Sequence, residues 1–417
     1  MENKKDCLNI ISSVMFVLLL VLPLPLWLGF SAAAPEGSSL KGFIDPENTE
    51  KRALAELPGS MDAATLTSDY EAYYNDHLPF RNLMIKYYNA SNSRLESIYR
   101  RHVGATLAQV FYSDEKDENG NEYLFPVTSD NELVLFGRDD WLFYLGENSL
   151  DYYRGTNVMD EAEMAEHLEK MEELQKICDG KGIQLAFLMI PNKETAYSEN
   201  MPSYRIESEK RRQAVFSEYV NENSDIVYVY PLEELEAGKK MMPMYFKYDT
   251  HWNMAGAFVG MEALYEAMGL PTEDVENTIY KEEPSPASNG DLVSLGGLDP
   301  ALYPDDVAYT FSYRPELTIL TFDNTQTSDL LFSGHYKVTT DSPAGKSLVM
   351  LGDSFTLSIM NYMLRDFPES CFANRSDVFN IKDEVRSADI IVLESCERLD
   401  YRLWDDVDNL IEVLGEE

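Results

Sequence analysis

The chain has 417 residues, 44% of them hydrophobic and 12% aromatic, enough to bury one large core or two modest ones. Its 73 acidic residues against 34 basic ones give a formal charge of -39, which would repel phosphates and excludes a nucleic-acid-binding surface. An uncharged or cationic polymer is a more natural partner, although simple solubility explains the acidity equally well.

In chain order, Lys4 and Lys5 precede a nearly uninterrupted apolar run from Ile10 to Phe30, long enough to span a bilayer with the basic residues left in the cytoplasm. This predicts a single-pass cell-membrane protein whose main domain lies outside the cytoplasm. Ser31-Ala32-Ala33-Ala34 resembles a cleavage site that would release a secreted protein. The run is longer than a usual signal core and holds Pro23 and Pro25, so residues 1–34 are read as a cytoplasmic tail and uncleaved anchor.

Residues 35–60, rich in Gly, Ser, Pro and Glu, read as a linker, and 61–135 as a helical N-terminal segment with an aromatic face of Tyr70, Tyr73, Tyr74, Tyr87 and Tyr88. The stretch Asp76 to Arg81, including His77, interrupts that face and reads as structural. Within the segment, residues 113–131 carry Asp114, Glu115, Asp117, Glu118 and Gly120, the signature of an exposed acidic loop or hairpin. The main domain is placed over 136–417, opening with a turn and an aromatic strand at Gly137 to Tyr144.

From there strands and helices alternate. Asp160 with Glu163 makes a capping-box-like start to a helix with Met164, Leu168, Met171 and Cys178 inward, which Gly180 and Gly182 end. His167 on it reads as solvated. Ile183 to Ile190 is a continuous apolar strand running into Pro191-Asn192-Lys193-Glu194-Thr195, and Asp225 to Tyr230 is another. Leu348 to Leu351 and Ala388 to Leu393 complete the series, the last followed by Glu394, Glu397, Arg398 and a helix on Leu399, Leu403, Val407, Leu410 and Leu414. This pattern implies a mostly parallel sheet with right-handed crossovers.

Two motifs carry chemistry. Gly352-Asp353-Ser354-Phe355 follows the apolar strand and precedes a helical pattern, so Ser354 falls on a strand-to-helix corner where free backbone N–H groups stabilise an oxyanion. Tyr248-Asp249-Thr250-His251-Trp252, ahead of a helix bearing Met254, Ala257, Phe258, Met261, Leu264, Tyr265 and Met268, supplies an imidazole and a carboxylate to orient it. Singly each motif is more often a turn or a hydrogen-bonded loop. Together they read as a Ser-His-Asp acyl-transfer site.

Around it, the N–H of Ser354 or Phe355 is the expected oxyanion donor, with Asn192 a second candidate beside its plain role as a turn-former. Asp353 reads as a helix-start cap. Trp252 packs under the imidazole or stacks on a sugar, packing being favoured, and Arg398 with Glu394 steadies the site or forms a structural ion pair. His102 and His335 have no partner readable from spacing. No Gly-rich phosphate loop or dinucleotide fingerprint is present, and scattered histidines give no metal cluster, so no cofactor and no metal are expected. Of the four cysteines, Cys7 lies at the cytoplasmic end and Cys178 on a helix face; Cys371 and Cys396 are free to pair if exported.

The ordered series Gly-Arg-Asp-x-Trp-Leu-Phe at 137–143, Pro-Asn-Lys-Glu-Thr at 191–195, Asp-Thr-His-Trp at 249–252, Gly-Asp-Leu at 290–292 and Gly-Asp-Ser-Phe at 352–355 resembles the SGNH-like proteins of alginate O-acetylation and their DHHW relatives, over roughly residues 70 to 400. Asp and His precede Ser, as in that family and unlike ordinary SGNH esterases. Thr250 replaces the family's second-position His, which leaves the acid and base letters intact. The resemblance implies an SGNH-hydrolase-like three-layer α/β sandwich and an extracytoplasmic O-acetyltransferase with Ser354 as nucleophile, His251 as base and Asp249 as orienting acid. It implies an exported polysaccharide as acceptor and a multi-pass membrane acyltransferase as acetyl donor. Two alternatives stay open: a polysaccharide acetyl esterase with the same triad, and a non-catalytic envelope scaffold.

Overall fold

The computed structural model describes residues 112–116, 122–124, 128–129, 131–202, 206, 208, 210–273, 285–286, 290–304, 306–308, 313–314, 316–328 and 332–416. The chain divides into two units, residues 1–96 and 97–417, and every described residue belongs to the second. The expectations for the anchor, the linker, Cys7, His77, His102 and the aromatic face at 70–88 lie outside the described residues.

A seven-stranded mixed sheet forms the centre. Its strands are β5 (Gln184–Ile190), β6 (Val227–Val229), β7 (Ile319–Thr325), β8 (His335–Thr340), β9 (Ser347–Gly352), β10 (Glu369–Asn374) and β11 (Ile390–Cys396), in the spatial order β6-β5-β11-β9-β10-β8-β7. The first five run parallel, and β8 and β7 add antiparallel to the far edge. The continuous apolar runs follow from this placement, since a central parallel strand is buried on both faces. Leu348 and Met350 enter the core on one face, and Val349 and Leu351 enter the core on the other.

Helices α6 (Met254–Met268) and α8 (Thr356–Met363) cover the first face, while α2 (Glu161–Lys181), α4 (Arg212–Asn223) and α10 (Asp400–Gly415) cover the second. The result is a three-layer α/β sandwich, as expected, with a mixed sheet. Helix ends obey local chemistry: Asp160 accepts the Glu163 N–H and Asn253 accepts those of Ala255 and Gly256. Left-handed Gly182 (φ 74) and Gly269 (φ 66) stop α2 and α6.

The antiparallel edge strands β7 and β8 are absent from the sequence reading. In β7 all seven residues are exposed, so no burial pattern marks it. The acidic stretch at 113–131 does contain a hairpin, β1 (Tyr112–Lys116) with β2 (Glu122–Leu124), inside the segment read as helical. A second hairpin pairs β3 (Val134–Phe136) with β4 (Leu142–Tyr144), so the boundary drawn at 136 cuts a pair of strands. This hairpin packs with Tyr248, Leu292 and Val293 in a small core of its own. Cys371 and Cys396 are free thiols in the cores on opposite faces of the sheet, which rules out their pairing.

Candidate active site

The site lies where β5, β11 and β9 end, as open α/β sheets favour. The loop before α6 is pinned by the Tyr245–Trp252 bridge and by the Asn253 N–H donating to the Met244 carbonyl at 2.9 Å. Within it the Asp249 carboxylate folds back on its own chain: Oδ1 accepts the His251 N–H at 3.0 Å and lies 2.7 Å from His251 Nδ1. An Asp two residues ahead of a His thus builds an Asx turn and orients the ring with one oxygen. Oδ2 accepts the Asp291 N–H at 2.9 Å. With a carboxylate at Nδ1, that nitrogen carries the ring proton, leaving Nε2 to accept from Ser354 Oγ at 2.6 Å.

Burial raises the Asp249 carboxyl, but the hydrogen bond and charge of His251 and the amides of Asp291 and His251 outweigh it and lower its pKa to about 2. The orienting acid is therefore ionised at any working pH. Asp291, in sequence only the middle letter of the Gly-Asp-Leu motif, accepts both the Thr250 N–H at 2.7 Å and the Thr250 hydroxyl at 2.6 Å. It sits at the start of α7 (Asp291–Leu295), where Gly290 passes so close to Tyr248 that a Cβ would lie 2.0 Å from the carbonyl oxygen.

The nucleophile corner is built on two buried acids. Asp353 Oδ1 accepts the Phe355 N–H at 3.0 Å, and Oδ2 takes the Cys396 N–H at 2.8 Å and Arg375 Nη2 at 3.3 Å. Asp353 thus forms an Asx turn and an ion pair ahead of the helix that starts at Thr356, whose N-cap is Phe355 without a side-chain cap, so it is not the helix-start cap expected. Glu394 Oε2 accepts the Asp353 N–H at 3.0 Å and the Thr356 hydroxyl at 2.6 Å. Burial, then the Asp353 charge, push the Glu394 carboxyl far above its ordinary range, so it stays neutral. Gly352 must lack a side chain, because a Cβ would meet Glu394 Oε2 at 2.1 Å.

Several expectations need correction. The Phe355 N–H is committed to Asp353 and cannot serve an oxyanion, whereas the Ser354 N–H has no acceptor among the described residues. The Phe355 ring, at 4.7 Å, packs against the imidazole. Trp252 lies one layer deeper, fully buried, with Nε1 donating to the Phe355 carbonyl at 3.2 Å, so it cannot stack on a sugar. Arg398 pairs with Glu147 at 3.3 Å instead of Glu394, its guanidinium lies over the rings of Tyr144 and Phe355, and its N–H donates to Asn192 Oδ1 at 3.1 Å. Asn192 is fully buried; its N–H donates to Glu397 at 2.9 Å, and its Nδ2 has no partner among the described residues. It sits behind Arg398 as a support.

His167, read as solvated, stacks on Trp404 at 3.7 Å, and burial lowers its pKa. His335 pairs with buried Asp377. Contrary to the reading of scattered histidines, Asp249, His251 and Asp291 bring ligand-capable atoms within 4.8 Å of one another. The hydrogen bonds just described already occupy those atoms.

The Pro-Asn-Lys-Glu-Thr stretch also does more than its sequence could disclose. Lys193, opening α3 (Lys193–Ala196), is fully buried and its Nζ donates to the carbonyls of Phe246 at 3.2 Å, Lys247 at 3.3 Å and Asp249 at 2.5 Å. Glu194 accepts the Tyr144 N–H at 2.8 Å. Glu397 gathers the Asn192 N–H, the Thr195 hydroxyl at 2.9 Å and the Tyr230 hydroxyl at 3.1 Å.

Residues 134–341 match the family model described as SGNH hydrolase-like domain, acetyltransferase AlgX. That span includes Asp249 and His251 and ends ahead of Ser354. The chain is 26% identical over 172 residues to the probable alginate O-acetylase AlgJ of Pseudomonas putida, a match spanning 40% of this chain and 43% of that relative. Among solved structures it resembles the O-acetyltransferase domain of Pseudomonas putida AlgJ at 18% identity (TM-score 0.41), over 68% of this chain and 99% of that one. Bacillus cereus PatB1 with a sulfonyl adduct matches at 15% (TM-score 0.46), over 67% and 97%. A DHHW family protein from Eubacterium siraeum matches at 16% (TM-score 0.44), over 68% and 97%.

Proposed function

From the match of residues 134–341 to the family model of the SGNH hydrolase-like AlgX acetyltransferase domain, we propose that this protein is an enzyme of that kind, moving acetyl groups onto the hydroxyls of an exported polysaccharide through an acetyl-serine intermediate. One observation carries the reading: the unbroken relay from Asp249 Oδ1 through His251 to Ser354 Oγ, with links of 2.7 and 2.6 Å.

Ser354 Oγ attacks the acetyl carbonyl while Nε2 takes its proton, and ionised Asp249 stabilises the imidazolium. The Ser354 N–H meets the oxyanion. Arg398, whose Nη nitrogens make no hydrogen bond among the described residues, faces donor or acceptor oxygens. The tetrahedral adduct collapses as the donor alkoxide leaves with the proton from Nε2. A sugar hydroxyl then repeats the sequence in reverse, losing its proton to Nε2 as its oxygen bonds the acetyl carbon and the Ser354 ester bond breaks. Water in place of the sugar gives the esterase.

Two further parts of the reading rest on the sequence. The excess of acidic residues favours a neutral or cationic glycan over a polyuronate, and the apolar run at 10–30 favours an anchored domain outside the cytoplasm; a reporter active only in the cytoplasm when fused after residue 60 would contradict that placement. Among the described residues no helix is long and apolar enough to cross a membrane. The test of function incubates the full chain with an aryl acetate and neutral, cationic or uronate oligosaccharides. Acetylated sugar in excess of free acetate, lost in Ser354→Ala, is expected. Acetate alone marks an esterase, and turnover unchanged in Ser354→Ala leaves only a scaffold.

A further inference from the structure

Lys193 is buried, carries a charge, and is assigned no part in the acyl chemistry, yet each of its bonds ends on the loop that presents the acid and the base. Its Nζ has three acceptors, the carbonyls of Phe246, Lys247 and Asp249, at 3.2, 3.3 and 2.5 Å. The faces of Trp141 and Phe143, at 5.7 and 5.5 Å, close the rest of its surroundings. An ammonium has three N–H donors and no acceptor capacity, so donors and carbonyls match one to one. A neutral amine has two.

Resting on the function proposed above, we propose that Lys193 is a positioning residue: its buried ammonium ties the 246–249 loop down at three points, so that Asp249 and His251 stay aligned on Ser354 only while the nitrogen keeps all three protons. The charge is poorly solvated there. Burial lowers the Lys193 pKa to about 8 even though the nearby carboxylates of Glu194, Asp249, Asp291 and Asp306 oppose the shift. Glu194 belongs to its own helix, Asp249 to the clamped loop, Asp291 to α7, and Asp306 accepts the Tyr248 N–H at 2.9 Å.

The sign separates loss of alignment from unfolding. With the folded-state value below that of a free lysine, the unfolded chain binds more protons above about pH 8, so this group makes the fold more stable, not less, as pH rises toward 10.5. Reactivity lost there in a folded protein is therefore local.

The experiment follows labelling of Ser354 by phenylmethanesulfonyl fluoride in the full chain from pH 6 to 10, with folding monitored by near-UV circular dichroism. A sulfonyl fluoride reports the serine-imidazole pair whatever the natural glycan. The wild type is expected to lose reactivity about tenfold as pH passes 8 while remaining folded. Lys193→Met should label at least tenfold more slowly at pH 7 and show no alkaline fall, since misplacing a reacting group by about 1 Å costs about a hundredfold. Lys193→Arg, whose guanidinium keeps its protons, should hold its residual rate up to pH 10. Lys193→Met labelling at the wild-type rate with the same alkaline fall would overturn the clamp and leave the acyl-transfer reading standing. A wild-type rate constant through pH 10 would overturn the clamp even if both variants fail to fold. Ser354 inert at every pH would bring down the functional reading together with the clamp.

Discussion

Replacing Gly290 with alanine tests whether close backbone contact sets the position of the acid-base loop. Gly290 has φ -67 and ψ 160, a conformation open to any residue, so the effect of a methyl group there is purely one of space. Its Cβ would lie 2.0 Å from the Tyr248 oxygen, 2.3 Å from the carbonyl carbon and 2.7 Å from the Asp249 nitrogen, where ordinary contact begins at 3.4 Å. The two segments must part by about 1.4 Å, the gap needed to leave the repulsive wall. These are backbone atoms on both sides, so the displacement passes directly to Asp249 and to Asp291. A shift of about 1 Å at reacting groups costs about a hundredfold, or about 2.7 kcal/mol of barrier. Overpacking costs a further ~1–3 kcal/mol of stability. Initial rates of aryl acetate turnover and a thermal melt measure both. Gly180→Ala is the control, because a Cβ there meets nothing within 4 Å, and in a helix it should stabilise by ~0.5–1 kcal/mol with unchanged turnover. A Gly290→Ala enzyme as fast as the wild type would refute the view that this contact sets the triad geometry.

Asp291→Ala removes the acceptor for both the Thr250 amide and hydroxyl. About 1–3 kcal/mol of lost orientation should appear as a tenfold to hundredfold fall in kcat with little change in KM, and a change confined to KM would instead mark Asp291 as a substrate contact. Glu397 is raised by burial to about 7, against the opposing bonds from Asn192, Thr195 and Tyr230. The folded state holds the extra proton, so this contribution to stability is full below about pH 4.5 and is lost as pH rises through 7. Glu262 and Asp406 shift in the same direction, also through burial. Denaturant unfolding at pH 5 and pH 8 should show wild-type stability falling with pH, and Glu397→Gln should flatten that fall by ~3 kcal/mol at most; an identical slope in the variant would contradict the assignment.

Long-range consequences divide by how many parts of the chain each one needs. The central strands were legible because burial on two faces leaves an unbroken apolar run, as at Leu348 to Leu351. The exposed β7 carries no such mark, so its pairing with β8 depends on a neighbour far along the chain. Helix ends were legible for a similar reason. Asp160 and Gly182 act on amides within a few residues, and local effects survive translation into sequence.

At the site, residue types alone determined that a serine at a corner, a histidine and an aspartate two residues before it could do acyl chemistry, since Asp249 meets His251 through a turn it builds itself. Only the tertiary structure decided who serves that trio. Lys193 reaches its three carbonyls, Glu397 its three donors and Asp291 its threonine across tens to hundreds of residues, and the same packing closed Trp252 away and took the Phe355 N–H for Asp353. The physical reason is that a donor's availability depends on what else lies within about 3 Å of it. Sequence order carries local chemistry, whereas competition for each hydrogen bond is settled in three dimensions.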